Sequence, residues 1–276
     1  MNPPRPPTIV LGSGLHAIAT ALQIRDADPE AAIVFVDPAP RPGGLLHSRR
    51  VEGFVCELGW QALRADPELV LPLIAKLRLD AAILPASSEV PDELAAAFCA
   101  PLGTVGEVVT LRSGLEAIVQ AARSVFPGAF LLGRPIVRHT DELVVLGGEV
   151  QHEIAAQRIL VTPDLGARFG PSLWFGFDDP AAQRALTGPG FVVEPAAASP
   201  VRAALFSTSL WPGRALPGRS AARMLLHDIP HGRHDGAADR ADASADAEAV
   251  AQEAERLLRE RTGLTSRVVF RRLYTS

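Results

Sequence analysis

The chain opens on a short apolar run, Thr8-Ile-Val-Leu11, that ends in glycine, and a second run, Ile33-Val-Phe-Val36, follows. Between them Leu15, Ile18, Ala19, Leu22 and Ile24 recur at near-helical spacing from Gly14 to about Ala27. Strand, glycine turn, helix and strand predict a βαβ unit in the first 37 residues. A Pro/Gly-rich loop runs from Pro38 to Gly44, and Val51–Leu58 reads as extended. Pro67–Leu77 has a helical pattern, with Asp66 as its cap and proline at the first turn. Residues 80–105 are rich in alanine and proline, with one short helix expected at Asp92–Phe98. Gly114–Phe126 then presents an amphipathic helix through Leu115, Ile118, Val119, Ala122 and Val125.

Four short apolar pieces follow: Phe130–Leu132, Ile136-Val137, Leu143–Leu146 and Val150–Ile154. The polar residues and glycines between them predict a small antiparallel meander. Arg158–Thr162, stopped by Pro163, is expected as a buried strand returning to the main sheet. In the second half Phe191–Val193, Ala203–Leu210 and Ala222–Ile229 read as strands, and 231–245 as a polar loop. Asp246–Arg261 predicts a helix stopped by Gly263, and Arg267–Tyr274 a final strand. No repeat of fixed period is visible.

Composition narrows the class without naming the chemistry. At 47% hydrophobic and 21% charged, the 276 residues are ordinary for a globular chain that buries a large core. A net charge of −4 gives no reason to expect nucleic acid or an anionic membrane as partner. Two cysteines, Cys56 and Cys99, are too few for a disulfide framework and are expected as free thiols in a reducing compartment. The N-terminus lacks the apolar stretch of a signal peptide, and no run of eighteen apolar residues occurs, so the expected address is the cytoplasm. Lys76 is the lone lysine; the arginine and alanine bias fits a GC-rich genome better than a binding role.

The chemistry sits in the first turn. Gly12-Ser13-Gly14-Leu15-His16-Ala17 is a G-x-G-x-x-A sequence where a strand turns into a helix. There Gly12 permits the tight turn, and Gly14 lets the backbone approach a pyrophosphate. Ala17 keeps the helix close to the sheet, and the helix start offers amides and a positive dipole. Asp37, at the end of the second strand, stands where a carboxylate accepts from ribose hydroxyls. A dinucleotide site is the reading these positions support together; a tight turn in a lapsed site is the alternative.

Directly after Asp37 comes Pro38-Ala-Pro-Arg41-Pro-Gly43-Gly44. Here the sequence resembles the flavin-dependent amine oxidase superfamily, and within it the protoporphyrinogen oxidases. The resemblance implies FAD as cofactor, with NAD(P) as the alternative, and an Arg-x-Gly-Gly loop of Arg41, Gly43 and Gly44 along the ribose and phosphates. Glu52–Gly59 looks like the segment passing under the flavin, with Gly59 beside the ring; Trp60 departs from the small residue or proline usual in the family and would either stack on a flavin or fill the space left by one. Val109–Glu116 resembles the return helix, Val161-Thr162-Pro163 the strand end closing the cofactor domain, and Phe206–Gly218 an oxidase-specific strand and turn. Val137 and Thr162 complete the implied cofactor-binding set.

The resemblance also has gaps. Family members carry a large helical substrate domain where this chain has only the stretch from about Pro72 to Gly106, and a glycine-rich flavin-covering segment after the point where Ser276 stands. The expected fold is α/β: a Rossmann-like FAD/NAD(P)-binding domain with an antiparallel β-meander insertion and a reduced second lobe. Residues 1–70 and 106–170 would form the discontinuous dinucleotide-binding domain, 71–105 a remnant of the helical domain, and 171–276 the reduced lobe.

Two functions follow. One is an FAD-dependent oxidoreductase moving hydride from a small-molecule or tetrapyrrole-like substrate to flavin; no catalytic base is identified. The other is a non-catalytic dinucleotide-binding or scaffolding subunit, whose incomplete lobe is covered by a partner polypeptide or a second copy. His227, His231, His234 and Asp235 have metal-ligand chemistry, but a solvated tract is the simpler account, and no metal is expected. Asp141-Glu142 and Asp178-Asp179 read as solvated turns, and Arg271-Arg272 as a charged strand edge. No nucleophile elbow is present.

Overall fold

The computed structural model describes residues 5–103, 105–194, 199–227 and 237–275. The opening unit folds as the periodicity predicts: β1 (Thr8–Leu11), α1 (Leu15–Ala27) and β2 (Ile33–Asp37). Extended residues then form a hairpin of β3 (Ser48–Val51) and β4 (Phe54–Glu57). Its two-residue turn places Glu52 at φ 49° and Gly53 at φ 83°, the left-handed pair that matches strand twist. A short β5 (Leu63–Arg64) leads to α2 (Val70–Lys76). The Asp66 carboxylate accepts from the Glu68 and Leu69 amides, so the predicted cap holds the turn just before the regular helix.

Next come β6 (Ile83–Pro85), α3 (Asp92–Phe98), β7 (Val108–Leu111) and α4 (Glu116–Val125). β7 pairs antiparallel with both β5 and β6 in a three-stranded sheet. Phe130–Leu132, expected in the meander, is instead β8 and runs parallel to β2. The physical reason is aromatic: Phe130 stacks on Phe35 of β2 with centroids 4.4 Å apart. The meander itself is β9 (Ile136–His139), β10 (Leu143–Leu146) and β11 (His152–Ala155). Then β12 (Arg158–Val161) returns parallel to β1.

The parallel sheet thus has the order β12-β1-β2-β8. Its two faces are covered differently, and β1 alternates between them as a strand must. Val10 joins the core beneath α1, α2 and α4. Ile9 and Leu11 face Val144, Leu146 and Ala156 from the meander side. β12, expected as buried, is the sheet's edge, and Val161 is 55% exposed.

The second half builds a five-stranded antiparallel sheet. β13 (Ser172–Phe177) precedes α5 (Pro180–Ala185), β14 (Gly190–Val192), β15 (Val201–Leu205) and α6 (Ser207–Leu210). β16 (Ser220–Leu226), α7 (Ala237–Thr262) and β17 (Phe270–Tyr274) complete it, with strand order β14-β15-β16-β13-β17. Two expectations are corrected here. The strand expected to reach Leu210 ends at Leu205, and Ser207–Leu210 is a helical turn, with the Trp211 amide returning to the Ser207 carbonyl. Most of the expected polar loop is helix, because α7 starts at Ala237 in an alanine-rich stretch. Ala251, Ala254 and Leu258 bury its far half against the sheet.

Candidate dinucleotide site

The β1–α1 turn is closely packed. Gly12 sits at φ 108°, and a Cβ there would lie 2.4 Å from the Thr162 Oγ1. Thr162 is buried and donates that hydroxyl to the Leu11 carbonyl. Glycine at position 12 therefore answers both the backbone and the neighbouring strand end. Ser13 is buried and donates to Asp37 Oδ2 at 2.7 Å, while Asp37 Oδ1 accepts from the Ala39 amide at 2.9 Å. The acid at the end of β2 is thus 5% exposed and already holds the loop that follows it. Leu15 and Ala17 are buried under the sheet, as expected for the helix side of the turn.

The Arg41–Gly44 loop folds back onto the turn. The Gly43 amide donates to both the Ser13 carbonyl and its Oγ, each at 3.1 Å. A side chain at Gly43 would meet Val119 of α4 at 2.5 Å. A Cβ on Gly44 would lie 3.6 Å from the Gly14 Cα, so the two glycine segments abut. Arg41 donates to the Pro42 and Gly44 carbonyls. Burial holds its guanidinium below the ordinary arginine range.

Gly44 also lines a cavity of about 300 Å³ with Arg41, His47, Arg49, Gly59 and Tyr274. His47 is kept below its ordinary value, first by burial and then by the neighbouring Arg41. The cavity is cationic where a phosphate-bearing ligand running past Gly14 and Gly44 would enter. His47, Arg49 and Tyr274 escape a motif search because they come from the loop before β3, from β3 and from the last strand. The basic Ser48-Arg-Arg strand beside a glycine loop was the one signal for them.

The start of α1 holds what the sequence did not suggest. Asp164, two residues beyond Thr162, directs its carboxylate at the helix N-terminus. Its Oδ2 accepts from the Ala17 amide at 2.9 Å, and its Oδ1 lies 3.0 Å from His16 Nδ1. That hydrogen bond raises the His16 imidazole above its ordinary value. A Cβ on Gly14 would stand 2.7 Å from the Asp164 Cγ. The cleared space at Gly14 therefore receives a carboxylate of the chain itself.

The remaining candidates divide. Gly59 is fixed by the backbone: its Cβ would fall 2.0 Å from the Leu45 carbonyl oxygen, to which Trp60 donates its amide. Trp60 is half-buried, meets Phe169 edge-on at 5.0 Å, and packs against two hydrophobic clusters. Val137 stands on the meander strand β9 and is 53% exposed. Of the histidine group, His227 is exposed; His231, His234 and Asp235 lie outside the described residues. Among the described residues no cluster of three or more His, Cys, Asp or Glu could hold a metal ion. Both cysteines are buried, and burial pushes each thiol up to about 12.

Beneath the site lies a buried ionic network. Arg214 donates to Glu57 at 2.5 Å with both side chains fully buried. Glu57 also accepts from the Leu115 amide and the Ser48 hydroxyl, which ties the hairpin to the start of α4. Arg223, also fully buried, donates to the Gly59 carbonyl and lies over Phe169 and Trp174. Arg214 lies within the Phe206–Gly218 stretch of the resemblance, which did not distinguish it.

Comparison with known proteins places this geometry. A family model for the NAD(P)-binding Rossmann-like domain matches residues 10–77. A protein from Exiguobacterium sp. 255-15, assigned by its name to the protoporphyrinogen oxidases, superposes with a TM-score of 0.68 at 14% identity, over 97% of this chain and 85% of its own. Putrescine oxidase bound to putrescine gives 0.65 at 12% identity, over 98% and 84%. The chain shares its fold with these two oxidases. Reduced UDP-galactopyranose mutase, at 0.60 and 10% identity over 99% and 82%, extends the likeness to a further enzyme. No curated protein matches the chain by sequence. The resemblance read from Gly12–Ala17, Asp37 and Arg41–Gly44 is borne out at the level of the fold, as is the Rossmann-like unit. No helix among the described residues is long and apolar enough to cross a membrane.

Proposed function

We propose that the chain binds a dinucleotide, FAD first and NAD(P) as the alternative, and serves a flavin-dependent oxidoreductase. One observation carries this reading: Gly44 abuts Gly14 and also lines the cationic cavity beside Arg41, His47 and Arg49. A ligand anchored near Asp37 would run along that path with its phosphates next to guanidinium groups. Gly12, Ser13, Gly14, Leu15, His16 and Ala17 form the turn, Arg41, Gly43 and Gly44 the covering loop, and Thr162 the opposite wall. A bound flavin would supply hydride acceptance from a small-molecule substrate. The chain's own residues would hold and orient it.

The packing of Trp60 favours a second reading. Its half-buried indole meets Phe169 edge-on and packs against two hydrophobic clusters, so the ring is engaged by the chain's own side chains. That arrangement suits a non-catalytic dinucleotide-binding or scaffolding subunit. The visible spectrum of the purified protein tests the flavoprotein reading, recorded before and after loading with FAD and removing the unbound fraction. Retained bands at about 375 and about 450 nm support the flavoprotein. A colourless protein after loading refutes it and leaves the second reading.

A further inference from the structure

Helix α1 begins without an anion of its own. Its N-cap is Gly14, which has no side chain to cap with, and its first turn contains no acidic residue. A helix start of this kind exposes amides and a partial positive charge that draw phosphate or carboxylate. Asp164 meets that demand from across the sheet. Its carboxylate takes the Ala17 amide, pairs with His16, and lies against the bare Cα of Gly14. Only glycine at position 14 allows this approach, since a Cβ would stand 2.7 Å from the Asp164 Cγ. The residue occupies a turn directly after the edge strand β12, where the Leu165 amide bonds the Thr162 carbonyl. Its side chain is 14% exposed, so the carboxylate is not sealed in the core.

We propose that Asp164 is a tethered stand-in for the ligand phosphate: it occupies the anion place at the start of α1 and must leave when a dinucleotide enters. This rests on the dinucleotide reading above. The glycine that motif logic assigns to a pyrophosphate is used by the chain on itself. Two effects then weaken binding. Only molecules with Asp164 displaced have the place free, and affinity falls by that fraction. The displaced carboxylate stays close, where it repels a phosphate.

The test is a calorimetric titration of ADP into the full chain, as wild type, Asp164→Asn and Asp164→Ala, with thermal midpoints for each. ADP affinity is expected to rise about ten-fold or more in Asp164→Ala, and by a smaller factor in Asp164→Asn, which keeps an acceptor but removes the charge. The unliganded midpoint should fall in Asp164→Ala and recover with ADP, because the helix start regains an anion. Equal or weaker ADP affinity in both variants overturns the proposal, as does failure of all three proteins to bind ADP. A merely structural aspartate lowers the midpoint and leaves the affinity unraised. Should Asp164→Ala not fold, the near-isosteric Asp164→Asn decides alone. FAD retention separates the two readings. Wild type that retains FAD with affinity unmoved by either substitution removes the stand-in and keeps the dinucleotide site. Tighter ADP with no flavin retained keeps the stand-in and removes FAD as cofactor.

Discussion

Replacing Glu57 by glutamine keeps the side chain's shape and removes its charge, and the surroundings make that loss severe. The carboxylate is fully buried, 2.5 Å from a fully buried Arg214 guanidinium. It also accepts from the Leu115 amide at 3.0 Å and the Ser48 hydroxyl at 2.6 Å. Glu57 further offsets Arg223, a completely buried cation that burial lowers to about 9 and that Glu57 acts to raise. In Glu57→Gln two guanidinium groups lose their nearby anion, and one amide N–H faces a former donor. Breaking a buried pair from one side costs roughly 3–5 kcal/mol, against about 0–1 kcal/mol for an exposed pair. Glu248–Arg271 provides the internal control, its carboxylate exposed and its guanidinium only half-buried. Equilibrium urea unfolding should give a loss of about 3 kcal/mol or more for Glu57→Gln and a far smaller one for Glu248→Gln. Arg214→Met should cost less than Glu57→Gln, because Glu57 keeps Arg223, the Leu115 amide and Ser48 as neighbours. A loss below about 1 kcal/mol for Glu57→Gln would refute the reasoning, and so would a larger loss for Arg214→Met.

Three further outcomes follow from the same geometry. The His16 imidazole is raised above its ordinary value by the hydrogen bond to Asp164, so this contact stabilises the fold fully below about pH 6.5 and is lost as pH rises through the folded value. The urea midpoint gap between wild type and Asp164→Asn should therefore be larger at about pH 5.5 than at about pH 8.5; equal gaps would refute it. Gly43→Ala forces a left-handed residue with its Cβ 2.5 Å from Val119 and should destabilise by roughly 1–3 kcal/mol, read as a lower thermal midpoint; an unchanged midpoint would show that α4 yields at no cost. Cys56 and Cys99, buried and pushed up to about 12, should resist a thiol reagent at neutral pH and react fully only in denaturant; fast native labelling of either would contradict its burial.

Wherever a periodicity is local, the sequence alone was sufficient. The β1–α1–β2 unit, the Asp92–Phe98 helix and the amphipathic α4 fold as their patterns predict, because turn chemistry and one buried face are encoded within a few residues. The same holds for the Gly12–Ala17 turn and its Asp37. Short apolar runs are different, since two or three residues carry no period long enough to choose a partner. Phe130–Leu132 joined the parallel sheet through a stack on Phe35, and Ser207–Leu210 left its strand for a helical turn. The site's decisive contacts lie further out of reach. Asp164 meets Ala17 across a sequence separation of 147, and Arg214 meets Glu57 across 157. Strand order brings β12 beside β1 and so delivers Asp164 to the helix start. No spacing rule reads such a pairing, because a carboxylate at a helix N-terminus is chosen by position in space and by charge, and the chain between the two is free to vary.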